Sequence, residues 1–99
     1  MTIAGAGGVA VKTVKTTVRF DQEFKKLTPE LKSLCKKQLA KLLHNPMPSG
    51  IRFEKLKGYN RPSLYSIHVT GNYKISLEIN GDTATLRRVA CHDEIDRAP

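Results

Sequence analysis

The stretch of sequence that decides the fold is residues 63–97, SLYSIHVTGNYKISLEINGDTATLRRVACHDEIDR. Two turn signals, the Gly71-Asn72 pair and the Asn-Gly-Asp triplet at 80–82, separate three segments in which apolar and polar side chains alternate. This alternation predicts strands over residues 64–70, 73–79 and 83–91. Because the connections are short, consecutive strands must pair antiparallel, and the stretch predicts a three-stranded meander.

The predicted meander has one apolar face and one polar face, because successive side chains of a strand point to opposite sides. The apolar face must meet the helices. His68 and Lys74 then lie on the other face, which we expect to be open. In the third strand, the alternation holds only if Arg87 and Arg88 both point outward, which predicts a β-bulge at this pair. With that bulge, His92 also reaches the open face.

The part of the chain before the meander predicts a strand and two helical segments. Residues 9–20 are rich in Val and Thr and have the composition of a first strand. Asp21 can cap a short helical turn that extends to residue 27. Thr28 followed by Pro29 is a helix-start signal, and leucines recur at three- and four-residue steps to about His44. Residues 51–62 predict a short strand and a loop.

Length and composition limit the class of protein. Ninety-nine residues make one domain, which we place at residues 11–99 behind a flexible tail over residues 1–10. The formal net charge of +8 favours phosphates or an acidic protein as partners. Apolar runs stay far below the roughly 20 residues of a membrane span, so no membrane partner is expected. The two cysteines, Cys35 and Cys91, suit reduced thiols in the cytoplasm.

Cofactor chemistry is not indicated by any motif. The three histidines and two cysteines are scattered without the spacing of metal ligands. The glycine-rich segment at residues 5–8 precedes the first predicted strand, whereas a phosphate-binding loop follows one. We therefore expect neither a metal nor a nucleotide cofactor.

Residues 20–97 resemble the RelE/ParE superfamily of small bacterial toxins from type II toxin–antitoxin modules. The resemblance rests on the order and spacing of four segments, FDQEFKKLTPELKSLCKKQLAKLLHNP, IRFEKLKG, LYSIHVTGNYKISLEI and HDEIDR. It implies an α+β fold in which two N-terminal helices pack on one face of a curved, mainly antiparallel sheet of about four strands. It also implies a cytoplasmic bacterial protein whose partners are a cognate antitoxin, the ribosome and mRNA.

The RelE-like members of this superfamily are mRNA interferases, which cleave mRNA on the ribosome without a metal. An RNA 2′-hydroxyl attacks the neighbouring phosphate, so such a site needs a base, cations for the phosphorane charge and an acid for the leaving oxygen. The resemblance implies that His68 is the base and that His92 acts on the leaving group. Lys74 falls where relatives carry an arginine that clamps the phosphate, and lysine lacks the bidentate fork.

Asp96 is a departure from the family pattern, since relatives usually carry a tyrosine at this position. Either Asp96 orients His92, which lies one helical turn earlier, or it attenuates the toxin. Two other readings of the whole chain therefore stay open, a ParE-like inhibitor of DNA gyrase and an attenuated toxin that retains only antitoxin or RNA binding. The cations expected to bind substrate are Lys55, Lys57, Arg61, Arg87 and Arg88.

Overall fold

The computed structural model describes residues 10–44, 48–60 and 63–99. Most of the expected tail, residues 1–9, lies outside this part of the chain. The elements in chain order are β1 (Thr13–Thr16), α1 (Val18–Lys25), α2 (Pro29–Leu42), a 3₁₀ turn (Ser49–Ile51), β2 (Glu54–Asn60), β3 (Ser63–His68), β4 (Tyr73–Asn80), β5 (Thr83–Cys91) and α3 (His92–Arg97).

The strands form one sheet of five, in the order β1-β5-β4-β3-β2. The pairs β2–β3, β3–β4 and β4–β5 are antiparallel, and β1 runs parallel to β5. The expected α+β fold, the mainly antiparallel sheet and the meander β3–β4–β5 are therefore confirmed, with five strands where about four were expected. None of the helices in the described ranges is long and apolar enough to cross a membrane.

The boundary between β1 and α1 lies earlier than the sequence predicted. β1 ends at Thr16, and Thr17 caps α1 by accepting a hydrogen bond from the backbone N–H of Phe20 at 3.1 Å. The Thr17 hydroxyl is also 3.0 Å from the carbonyl oxygen of Leu86, which ties the start of α1 to β5. Asp21 therefore lies in the first turn, where a carboxylate still suits the helix dipole. The predicted cap at Thr28 is confirmed for α2.

The two hairpins of the meander have different turns. Between β4 and β5, Gly81 has a φ of 64° and Asn80 pairs with Thr83, which confirms the turn predicted there. Between β3 and β4 the predicted two-residue turn at Gly71-Asn72 is wrong, because the connection spans residues 69–72. The Thr70 hydroxyl organises it by accepting from the backbone N–H groups of Asn72 and Tyr73, both at 3.1 Å.

Helices α1 and α2 cover the apolar face of the sheet. Phe20 of α1 and Cys35 and Leu42 of α2 belong to the same buried cluster as the inward side chains of the strands. The strand residues of this cluster include Ile67, Ile75, Leu77, Leu86 and Val89.

The polar face is covered as well, which corrects the expectation of an open face. Helix α3 lies against β4 and β5, and its Ile95 is fully buried. Ser66 and Ser76, which are paired across β3 and β4, are also fully buried. Sequence alternation correctly separates the two faces. The short α3 packs over the polar face, however, and His68 and His92 are only partly exposed.

Candidate active site

Two histidines from separate elements are in contact. His68 is the last residue of β3 and His92 is the first residue of α3; their ring centroids are 4.8 Å apart, with the planes at 86°. Backbone hydrogen bonds fix both positions. The carbonyl of His68 accepts from the Gln38 side chain at 2.6 Å, and the N–H of His92 donates to the carbonyl of Asn72 at 2.8 Å.

Lys74 and Asp96 lie beside the histidines and form an ion pair. Lys74 is the partner of His68 in the β3–β4 register, so both side chains are on the same face. The Nζ of Lys74 is 3.0 Å from Oδ1 of Asp96, and the Lys74 side chain is only 11% exposed, against 53% for Asp96. Asp96 thus binds the lysine, and the alternative in which it orients His92 is not what the structure shows.

The electrostatic surroundings of His68 suit a proton acceptor. Burial lowers the pKa of the imidazole, and the positive charges of Arg52, His92 and Lys74 lower it further, against a smaller opposite effect of Glu54. Within the described residues, Nδ1 of His68 is buried and has no hydrogen-bond partner. The lowered pKa keeps His68 mostly neutral at pH 7, which is the state that a proton acceptor needs.

Arg88 has a structural position, which corrects its predicted role in substrate binding. It is 4% exposed, and its guanidinium donates to Glu23 of α1, with Nη2 at 2.6 Å from Oε2. It also contacts Glu94 at 3.2 Å, lowering the pKa of that carboxyl, and the carbonyl of Ala98 at 3.0 Å. Arg88 therefore joins α1, β5 and the C-terminal segment instead of facing solvent.

Arg87 is the extra residue of the predicted bulge, since the β4–β5 register shifts between Ser76 and Leu77. The bulge is thus confirmed. The Arg87 side chain is 38% exposed and pairs with Glu78 at 3.3 Å. Glu78 is four residues from Lys74 along β4, roughly 13 Å at the rise of a strand, so Arg87 lies well away from the histidines.

The other cations predicted to bind substrate come from β2 and the residues after it. Lys55 is exposed but pairs with Tyr65, so it lies on the face of α1 and α2, opposite to His68. Arg61 and the side chain of Lys57 lie outside the described part of the chain.

Arg52 is a residue of the site that the sequence pattern does not indicate, since it falls in the segment predicted only as a short strand and a loop. Arg52 is exposed and, after burial, is the largest influence on the pKa of His68. It is also the one non-glycine residue in the described ranges with a positive φ, 53°. No periodic pattern includes it, because it lies between the 3₁₀ turn and β2.

The described residues form no metal centre, and the thiol of Cys35 is unreactive. They contain no group of three or more His, Cys, Asp or Glu side chains arranged to hold a metal. Cys35 is fully buried in the core, and burial raises its pKa to about 11, which keeps the thiol protonated and inert.

Comparisons with known proteins identify the class through structure. No protein-family model matches the chain, and no curated protein matches it. Solved structures do: the fold is that of RelE-like toxins, which confirms the resemblance indicated by the sequence.

Three similar structures illustrate the likeness. A chain of the RelB–RelE antitoxin–toxin complex from Methanococcus jannaschii is 26% identical, with 86% of this chain and 98% of that chain covered and a TM-score of 0.68. YafQ from E. coli is 11% identical, with 85% and 97% covered and a TM-score of 0.70. A chain of the RelE–RelB complex from Pyrococcus horikoshii is 17% identical, with 82% and 94% covered and a TM-score of 0.66.

Proposed function

We propose that this protein is the toxin of a type II toxin–antitoxin module and that it cleaves mRNA as a ribosome-dependent endoribonuclease. The observation that carries the proposal is the contact between the His68 and His92 rings, 4.8 Å apart, beside Lys74. Two imidazoles and a cation are the groups that attack by a 2′-hydroxyl on a phosphate requires.

The reaction divides between the two imidazoles. Neutral His68 accepts the proton of the 2′-hydroxyl, and the 2′-oxygen attacks the adjacent phosphorus. The bond from phosphorus to the 5′-oxygen breaks, leaving a 2′,3′-cyclic phosphate, while His92 donates a proton to the departing oxygen. Burial and the neighbouring positive charges lower the pKa of His68, which suits it to the role of the base.

A second candidate function follows from the ion pair of Lys74 and Asp96. The cation that would hold the phosphate is 11% exposed and already has a carboxylate partner at 3.0 Å. This arrangement favours an attenuated toxin, which binds RNA or an antitoxin but cleaves slowly.

The partners of this function are a cognate antitoxin, the ribosome and mRNA. Support for the antitoxin comes from the neighbours, several of which were solved as toxin–antitoxin complexes. A net charge of +8 suits both an acidic antitoxin and RNA. Action on the ribosome would place the protein in the cytoplasm.

The test is induced expression followed by mapping of mRNA 5′ ends. New ends should appear with the parent, and His68→Ala and His92→Ala should each slow cleavage by roughly 10² to 10⁴-fold, the range for a lost general acid or base. His44→Ala is the matched control, since His44 is exposed at the end of α2.

Three results would count against the nuclease. A double His68/His92 alanine variant as toxic as the parent would remove the histidine mechanism. Growth arrest with inhibited DNA supercoiling and intact mRNA would favour the gyrase inhibitor. Intact mRNA and normal growth on expression would favour the attenuated toxin.

A further inference from the structure

We propose that Arg52 is the residue that binds the scissile phosphate, in place of the lysine engaged by Asp96. This inference rests on the proposed function and adds a substrate-binding side chain to it. Arg52 would present a guanidinium to the phosphate oxygens from the side of the site opposite Lys74.

The position of Arg52 just before β2 brings it near His68. Glu54 pairs with Ser66 in the antiparallel β2–β3 ladder. Arg52 precedes Glu54 by two residues and therefore lies where the chain enters this ladder, at the end that also holds His68 and its partner Lys74. His68 thus has two cations near it, and the positive charges of both lower its pKa.

The backbone holds Arg52 in a strained and well-defined position. A φ of 53° is unfavourable for a non-glycine residue, and such residues persist only where their surroundings impose them. Here the neighbours do so: Ile51 is fully buried, and Phe53 is 7% exposed and stacks on Tyr65 with ring centroids 4.8 Å apart. The exposed Arg52 is therefore anchored on both sides by core residues.

Charge and chemistry favour Arg52 over Lys74 as the phosphate ligand. Lys74 is nearly buried and paired with Asp96. Arg52 is exposed, and no hydrogen bond or ion pair joins it to another described residue. A guanidinium also binds phosphate through two parallel hydrogen bonds, which an ammonium group does not.

The experiment measures binding of an RNA oligonucleotide that has a 2′-deoxy substitution at the scissile position and cannot be cleaved. The main variant is Arg52→Gly, because glycine accepts the positive φ and only the side chain is lost. Arg52→Lys keeps the charge without the fork. Arg19→Ala removes an exposed arginine from α1 and is the charge-matched control. Thermal melting checks that each variant is folded.

We expect Arg52→Gly to weaken binding by about tenfold or more, as for the loss of a charged hydrogen bond. Arg52→Lys should be intermediate, and Arg19→Ala should stay within about twofold. In NMR titrations of the free protein, the pKa of His68 should rise in Arg52→Gly, since a nearby positive charge is removed.

Equal binding of the parent and Arg52→Gly, an equal loss in Arg19→Ala, or no binding by the parent would each overturn the role of Arg52. The proposed function fails separately. A parent that binds the oligonucleotide through Arg52 but cuts no mRNA on ribosomes would refute the nuclease and keep the phosphate site. Ribosomal cleavage that is unaffected by Arg52→Gly would refute the phosphate site and keep the nuclease.

Discussion

Replacing Asp96 with asparagine removes one negative charge from the edge of the candidate site and keeps the shape of the side chain. The Asp96 carboxylate is 3.0 Å from Nζ of Lys74, and at that distance two unit charges attract by about 1.4 kcal/mol in a medium like water. Because Asp96 is 53% exposed, side-chain entropy and salt reduce this to about 1 kcal/mol. Without the carboxylate, Lys74 is available to an RNA phosphate in addition to Arg52, so Asp96→Asn should strengthen phosphate binding about fivefold.

The assay is cleavage of mRNA on purified ribosomes at a substrate concentration below saturation, where the rate reports kcat/KM. Asp96→Asn should raise this rate about fivefold. Asp93→Asn removes the same charge from an exposed position on the same helix and should change it less than about twofold. The melting temperature of Asp96→Asn should fall by only a few degrees, about 4 to 8 °C per kcal/mol for a domain of this size.

Two outcomes would refute the reasoning. A lower kcat/KM in Asp96→Asn would mean that the carboxylate holds Lys74 in its productive position instead of withholding it from the phosphate. An equal gain in Asp93→Asn would mean that the effect comes from the overall charge of α3.

Further predictions concern pH, the buried arginine and the helix caps. His68 must be neutral to accept a proton, and its pKa lies below the usual 6.5, so cleavage should persist below pH 6.5 and fall as the pH drops through the folded-state value; an acid limb above pH 6.5 in kcat/KM would contradict this. The folded state prefers neutral His68, so the contribution of this residue to stability is fully present above pH 6.5 and declines as the pH falls below 6.5. His68→Gln should reduce that decline in thermal melts. Arg88→Ala leaves Glu23 half-buried without its partner and should cost about 2 to 4 kcal/mol, lowering the melting temperature by roughly 8 to 30 °C; a drop below about 5 °C would mean that the network adds little. Thr17→Ala should cost about 1 kcal/mol or slightly more, and more than Thr28→Ala, because Thr17 also bonds to β5 while Thr28 is an exposed cap; equal losses would show that the β5 contact adds nothing.

Local sequence signals were sufficient for the parts of the fold that depend on neighbouring residues. The alternation in residues 63–97 predicts the meander and its two faces, because strand periodicity is a property of consecutive residues. The paired arginines predict the bulge, since two outward polar residues in a row break that period. Placing His68, Lys74 and His92 near one another needs only this periodicity and the order of the strands.

The turn after β3 and the start of α1 show where local signals compete. Gly71-Asn72 has the residues of a tight hairpin turn, but the Thr70 hydroxyl offers the backbone an alternative with two hydrogen bonds. Thr17 and Asp21 are both suitable caps, and a contact with distant Leu86 favours Thr17. The turn was therefore decided by a local side chain, and the start of α1 by a tertiary contact.

The tertiary structure alone decided which charges of the site are available. Arg88 is removed from the surface by Glu23, a residue 65 positions earlier, and Lys74 is engaged by Asp96, 22 positions later. Arg52 lies near His68 because the chain before β2 is anchored by buried residues on either side of it. The sequence by itself determined the fold class, the faces of the sheet and the pair of histidines. Which cations remain free to meet a phosphate depends on contacts between segments far apart in the chain, and these leave no periodic trace in the sequence.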